Sequence, residues 1–366
     1  MSFPLVQFES SDPRRTLGAS GARPSRRDFL TGAPRRHDDY WIRVHRRAMA
    51  CRFEITLESR DAAAVPAARD ALNEIDRLEE ALSVFRDTSI VSEINRRAAH
   101  AAVAVDDATF ELLDLCGQLH AQTGGAFDIT STPLSRCWGF LQRVGRLPDR
   151  SAINEARARV GFDAVRLDAA SRSVRFTRSG LELNLGAIGK GYALDRVAET
   201  MRDAGAAQAL LSAGQSSMLA IGGRGAGWFV ELVSLRSDGS PVADVHLHDA
   251  AIGTSGAGDQ FVIADGVRYG HVIDPRTGWP ASGVESASVI ASSAAVADAL
   301  STAFLVGGVA LASAYCAEHA NVMAILTEEG AHMPRVFGQH PGARVRPRRV
   351  KRVRAGEHGA ATEVTR

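Results

Sequence analysis

Between residues 66 and 82, Ala71, Leu72, Ile75, Leu78 and Leu82 recur every one to four positions, with Asp, Glu and Arg between them. That spacing gives one apolar face at the helical period, so a helix is predicted over 66–82. "DDATFELLDLCGQLHAQTGG" predicts a second, with Asp106 or Asp107 as N-cap and a glycine pair as its stop. "KGYALDRVAETMRDAG" is apolar at Tyr192, Leu194, Val197, Ala198 and Met201 before Gly205 and predicts a third. "AAVADALSTAFLVGG" predicts a fourth, followed by a separate apolar helix near 309–319. Strands are predicted at 173–177, 181–185, 209–213, 227–233, 243–248, 261–264, 268–273, 286–291 and 321–326, and "WIRVHRRAMACRFEITLES" reads as strand, turn, strand. Asp265-Gly266 is a two-residue hairpin signal between two of them. Helices interleave with hairpin-connected strands, so the expected class is α+β, a mixed or antiparallel sheet with helices packed on it.

Composition narrows this further. The chain has 366 residues, 45% hydrophobic and 23% charged, enough for one large domain or two ordinary ones. A net charge of +1 gives no overall field favouring nucleic acid or an anionic membrane. Residues 1–39 mix Pro, Arg, Ser and Gly without periodicity and read as a flexible leader. Residues 344–354 hold seven basic side chains and no acid, so 339–366 are expected to be a solvated, disordered tail. A single domain is then expected over 40–338. "SRRDFL", Ser25 to Leu30, resembles a twin-arginine export motif. The apolar region of roughly 7–15 residues that should follow it is replaced by "TGAPRRHDDYW". With no apolar stretch read as reaching the ~20 residues of a bilayer span, a cytoplasmic protein is expected. Cys51, Cys116, Cys137 and Cys316 show neither a CxxC pair nor zinc spacing and are expected to be thiols.

Five stretches could carry chemistry. In "YGHVIDPRTGWP", residues 269–280, His271 closes a strand just before an Asp-Pro turn. A core histidine, a metal ligand and a catalytic base all fit that place. "ALSVFRDTSIVSEIN", 81–95, sets Ser83, Asp87, Thr88 and Ser89 around Phe85, which a capped loop leading into a short helix also explains. "GGAFDITSTPLSRCWGF", 124–140, offers glycines for close backbone approach and Asp128 and Thr130 for polar contacts, although a glycine pair also simply ends a helix. "LNLGAIGKGYALD", 183–195, reads as strand, Gly-rich turn and helix. That order aims backbone N–H groups and a helix N-terminus at one spot suited to phosphate. Lys190 adds charge and Tyr192 a stacking face, yet no standard nucleotide motif is matched. In "VADALSTAF", 296–304, Asp298 and Thr302 are i and i+4 on one apolar helix face, with Ser301 beside them. A carboxylate there is costly unless paired or holding a cation. Hard oxygens suit magnesium rather than zinc, and contact with backbone amides near the helix start is the alternative.

In this order the stretches resemble the ApbE-type FAD:protein FMN transferases. The resemblance is carried by "AMACRFEI", "LSVFRDTSIVSEIN", "GAFDITSTPL", "LGAIGKGYALD", "TSG" at 254–256, "GHVIDPRTGWP" and "SVIASSAAVADALSTAFLVGG", over about residues 48–308. It implies a T-fold-related catalytic domain that binds FAD with Mg²⁺, cleaves the pyrophosphate and transfers FMN to a Thr or Ser of an acceptor protein, releasing AMP. It further implies that Met49, Phe85, Ala126, Phe127, Asp128, Gly186, Tyr192 and Val272 line the FAD site. Mg²⁺ would be held by Asp298, Thr302, Ser301 and the carbonyl of Gly189, and His271 would deprotonate the acceptor hydroxyl. Imidazole titrates in the right range for that task. There are departures: Asn184 stands where the family usually has Asp, Gly189 where Ala is common, and "SAGQSSM", 212–218, replaces a Gly-Gly-Asp-like turn. Two rival functions use the same residues: an FAD pyrophosphatase in which water replaces the hydroxyl, and a flavin-binding protein without catalysis, which His271, Asp298 and Thr302 argue against.

Overall fold

The computed structural model describes residues 6–7, 40–223, 225–234, 240–256, 258 and 260–349. At its centre eight strands pair antiparallel, in the order Arg335–Gly338, Met323–Glu328, Val284–Ala291, Ala251–Gly256, Ser217–Ile221, Ala209–Ala213, Cys51–Glu58 and Trp41–Ala48. Side chains alternate across a strand, and here both faces are covered. Leu211, Leu219, Ala251 and Ala291 turn towards helices Val65–Leu82 and Gly189–Asp203 and the start of helix Ala294–Glu318. Leu210, Met218, Ala220, Ile252 and Ile290 turn the other way. They meet a second sheet built from Val6–Gln7, Trp228–Val233, Pro241–Leu247 and Ala343–Pro347. The class is α+β, as the pattern of helices and hairpin strands predicts.

Local signals account for many boundaries. Asp106 caps helix Asp107–Gln122 by accepting from the Thr109 N–H at 2.6 Å. Asp265 and Gly266 both have positive φ, 51° and 74°, and join Phe261–Ala264 to Val267–Gly270, the conformation a two-residue hairpin requires. Met49 and Ala50, at φ 48° and 57°, turn Trp41–Ala48 into Cys51–Glu58 without a glycine.

Other expectations are corrected. Residues 181–185 form no strand beyond a single bridge from Glu182 to Ser131. The backbone of Leu183 is paired instead by the Asn95 side chain, which accepts from Leu183 N at 2.7 Å and donates to Leu183 O at 3.0 Å. The strand expected through 273 stops at Gly270. The basic stretch is no free tail as far as Arg349: Ala343–Pro347 pairs with Pro241–Leu247, Val345 packs on the core, and Arg348 bridges Asp244 and Glu231. Residues 350–366 lie outside the described residues, as does the leader apart from Val6–Gln7, including Ser25–Leu30. The two C-terminal helices are one, kinked at Gly308 (φ 69°). This 25-residue helix is long and apolar enough to cross a membrane by composition, contrary to expectation, but over half of its apolar window is buried inside the protein. The four cysteines are free thiols, Cys116 and Cys316 buried.

Candidate active site

Two adjoining cavities form one cleft, because Asn184, Gly186 and Lys190 line both. The larger, about 360 Å³, is enclosed by residues 126–135, the turn at 184–190, strand residues 254–256, the loop 271–275, and Asp298 and Thr302. The smaller, about 210 Å³, lies under the Met49-Ala50 turn and residues 82–85. Cavities of this size suit a small-molecule ligand. Ala126, Phe127, Asp128, Gly186, His271, Val272, Asp298 and Thr302 reach the larger cavity. Met49, Phe85, Gly186 and Gly189 reach the smaller, where Phe85 is 73% exposed.

Two candidates do not reach the cleft. Tyr192 lines neither cavity and packs, half-buried, against the main core; burial pushes its phenol pKa up. Ser301 is 0% exposed and lines neither cavity. Asp128 reaches the cavity, but its carboxylate is occupied in holding its own loop. It accepts from the N–H and hydroxyl of Thr130, both at 2.7 Å, and from the Phe162 N–H at 3.2 Å. His120 also faces it, with Nδ1 3.3 Å from Oδ2. Burial alone would depress the His120 pKa, but the Asp128 carboxylate and the Phe127 carbonyl outweigh it and leave it raised.

Asp298 sits where three elements meet at close range. A Cβ on Gly253 would fall 2.6 Å from the backbone of Ala297 and Asp298, and one on Gly191 would fall 2.1 Å from the Ala294 carbonyl. Glycine therefore lets strand Ala251–Gly256 and helix Gly189–Asp203 press against helix Ala294–Glu318. Asp195 fixes the end of that helix by accepting from Ser293 Oγ and the Ala294 and Ala295 N–H groups at 2.7–2.9 Å. The Asp298 carboxylate, 3% exposed, accepts from Ser217 Oγ at 2.9 Å and the Gly191 N–H at 3.1 Å, and lies 3.7 Å from Lys190 Nζ. These donors leave acceptor capacity on the carboxylate.

Among the described residues no three His, Cys, Asp or Glu side chains cluster as a metal cage. Beside Lys190 the cleft instead offers the Asp298 carboxylate, the Thr302 hydroxyl and backbone carbonyls. That hard-oxygen set fits Mg²⁺, which takes one or two protein carboxylates and completes its shell with water and substrate phosphate. Gly189 is the first residue of its helix and lines only the smaller cavity, so its carbonyl points along the helix axis. Ala187, two residues earlier, lies outside the helix and shares the larger cavity with Asp298 and Thr302. The departure at Asn184 keeps the turn, since its Oδ1 accepts from the Gly186 N–H at 2.9 Å, but removes a charge from the cleft.

The opposite wall carries His271, whose N–H donates to Gln260 O at 3.0 Å and whose ring meets the edge of Phe140. The following turn closes on itself. Asp274 O accepts from Gly278 N at 2.8 Å, Asp274 N donates to Trp279 O at 2.8 Å, and the Asp274 carboxylate grips Arg276. Trp138, fully buried among Phe140, Tyr269 and Trp279, donates from Nε1 to Gly278 O at 3.0 Å. Aromatic packing thus supports the loop from behind. Ser217 and Ser255 carry no signal in the sequence beyond the unusual "SAGQSSM" turn and the "TSG" match.

The chain is similar to known proteins along most of its length. Residues 49–326 match the family model described as the ApbE family. The FAD:protein FMN transferase of Treponema pallidum is 32% identical over 276 residues, covering 70% of this chain and 76% of that one. Among solved structures, the ApbE protein of Thermotoga maritima superposes with a TM-score of 0.74 at 28% identity, over 82% of this chain and 97% of that one. The apo flavinyl transferase ApbE of Pseudomonas stutzeri gives 0.71 at 27%, over 82% and 95%. The family match spans most of the chain and encloses both walls of the cleft, so this protein belongs to the ApbE family.

Proposed function

We propose that this protein transfers FMN from FAD to a Thr or Ser hydroxyl of an acceptor protein and releases AMP. The observation that carries the reading is the single cavity onto which His271, Asp298 and Thr302 all open, continuous with the pocket of Met49 and Phe85. The relatives named FAD:protein FMN transferase support the donor and the protein acceptor. In the reaction the acceptor oxygen bonds to the phosphorus of the FMN half, and the P–O bond to AMP breaks. Each FAD gives one flavin phosphoester and one AMP. His271 takes the hydroxyl proton, because an alcohol is a poor nucleophile until a base removes it. The edge-on contact with Phe140 packs the imidazole at the cavity wall, and the closed Asp274 turn follows it in the loop. Lys190 and the turn at 184–190 face the pyrophosphate, and backbone N–H groups at a helix start favour that charge. Asp298, Thr302 and the Ala187 carbonyl would hold Mg²⁺, which supplies charge neutralisation for the pyrophosphate and the departing phosphate.

The test is incubation with FAD and Mg²⁺, with and without a candidate acceptor. AMP and acceptor-bound flavin fluorescence should rise together, and only when the acceptor is present. Free FMN and AMP without acceptor would make water the nucleophile, and intact FAD throughout would make the protein a binder.

A further inference from the structure

We infer that Ser255 is a positioning residue for the cation site: it fixes the hydroxyl proton of Thr302 away from the cleft, so that Thr302 presents only lone pairs there. The inference rests on the reading of Asp298 and Thr302 as cation ligands. Its basis is a chain of three hydroxyls whose donor directions are forced by counting protons. Ser301 Oγ lies 2.8 Å from the Asp298 backbone carbonyl, which can only accept, so the single Ser301 proton is spent there. Ser255 Oγ lies 2.8 Å from Ser301 Oγ. Since Ser301 has no second proton, Ser255 must donate to it. Ser255 Oγ also lies 3.0 Å from Thr302 Oγ1, and with its own proton committed it must accept from Thr302. The order is therefore Thr302 to Ser255 to Ser301 to the Asp298 carbonyl.

Two consequences follow for the chemistry of the cleft. Thr302 can ligate a cation or accept a hydrogen bond, but it does not donate to a phosphate oxygen. Ser301 ends the relay inside the core, 0% exposed and outside the cavity lining, and is not a ligand. Ser255 itself opens onto the cavity beside Thr302, so a methyl added there has room. Partners that orient a metal ligand in this way are typically worth about 10- to 100-fold in metal affinity.

The experiment titrates Mn²⁺ into the full-length protein saturated with FAD and without acceptor, reading free Mn²⁺ by electron paramagnetic resonance. Ser255→Ala should weaken Mn²⁺ binding by about tenfold or more, whereas Ser255→Thr, which keeps the hydroxyl, should stay within about threefold of the parent. Asp298→Ala should lose the site. Thermal unfolding of each variant separates misfolding from loss of the ligand. Parent-like Mn²⁺ binding in Ser255→Ala, with loss in Asp298→Ala, overturns the relay and leaves the cation reading standing. Parent-like binding in Asp298→Ala removes both. A folded Ser255→Thr as weak as Ser255→Ala also overturns the relay, because the hydroxyl would not be the agent.

Discussion

The wall of the cleft that carries Asp298 and Thr302 belongs to a core helix, clamped by a strand, a second helix and the Asp195 cap. The wall that carries His271 is a loop beyond a two-stranded hairpin, which among the described residues joins no larger sheet. Its support includes a cluster of aromatic and aliphatic side chains, an indole hydrogen bond to Gly278 and backbone bonds such as His271 N–H to Gln260 O. The first wall is positioned by close backbone approach between segments far apart in sequence, the second by local turn chemistry with aromatic packing behind it. On the proposed function, a cation site needs ligands fixed to within tenths of an ångström, and the core would supply that. On the same reading, a base that meets an incoming protein hydroxyl must be reachable from outside the core, and the loop would supply that.

This contrast can be broken from either side. The largest effect is expected at Gly253→Ala, whose methyl has no space against the Ala297–Asp298 backbone. Overpacking of this kind should cost about 2–3 kcal/mol in urea unfolding and weaken Mn²⁺ binding with it. A parent-like unfolding midpoint would show that the core wall yields as readily as the loop. Trp138→Phe keeps most of the ring but leaves the buried Gly278 carbonyl without its indole donor. A loss of about 1–2 kcal/mol is expected, with slower transfer and unchanged Mn²⁺ affinity. A fall in Mn²⁺ affinity instead would show that the walls are not independent.

The smallest effect is a pH dependence at His120, which backs Asp128 of the cleft. The folded-state pKa of His120 is raised, so the His120–Asp128 contact stabilises fully below the ordinary imidazole value. That contribution is lost as pH rises through the folded-state pKa. His120→Gln should therefore narrow the difference in melting temperature between pH 6 and pH 8 by on the order of one degree. An unchanged difference would detach the dyad from stability.

What was legible in the sequence follows the same division. The Asp265-Gly266 hairpin and the Asp-Pro turn after His271 are local devices, and both were readable as such. Strand Ala251–Gly256 was not read, because its small residues suit the helix lying on it and blur the strand pattern. Leu181, Leu183 and Leu185 alternate like a strand, but Asn95 supplies the hydrogen bonds a neighbouring strand would give. The run of arginines after 343 hid the alternation that puts Val345 against the core. Asp298 and Thr302 could be picked out as an odd polar pair on an apolar helix. Ser217 and Ser255 could not, since each acts only through contacts made across the fold. Gly189 opens only onto the smaller cavity, whereas Ala187, two residues earlier, shares the larger one with Asp298 and Thr302; the helix boundary between them is a feature that sequence fixes poorly.

On the proposed function, one cleft holds FAD while His271 activates the acceptor hydroxyl. The most direct measurement is intact-mass spectrometry of an acceptor after incubation with FAD, Mg²⁺ and either the parent protein or His271→Ala, alongside FAD binding by fluorescence quenching. The account predicts one FMN adduct per acceptor with the parent, none with His271→Ala, and the same FAD affinity for both. Adduct formed by His271→Ala at the parent rate would contradict it.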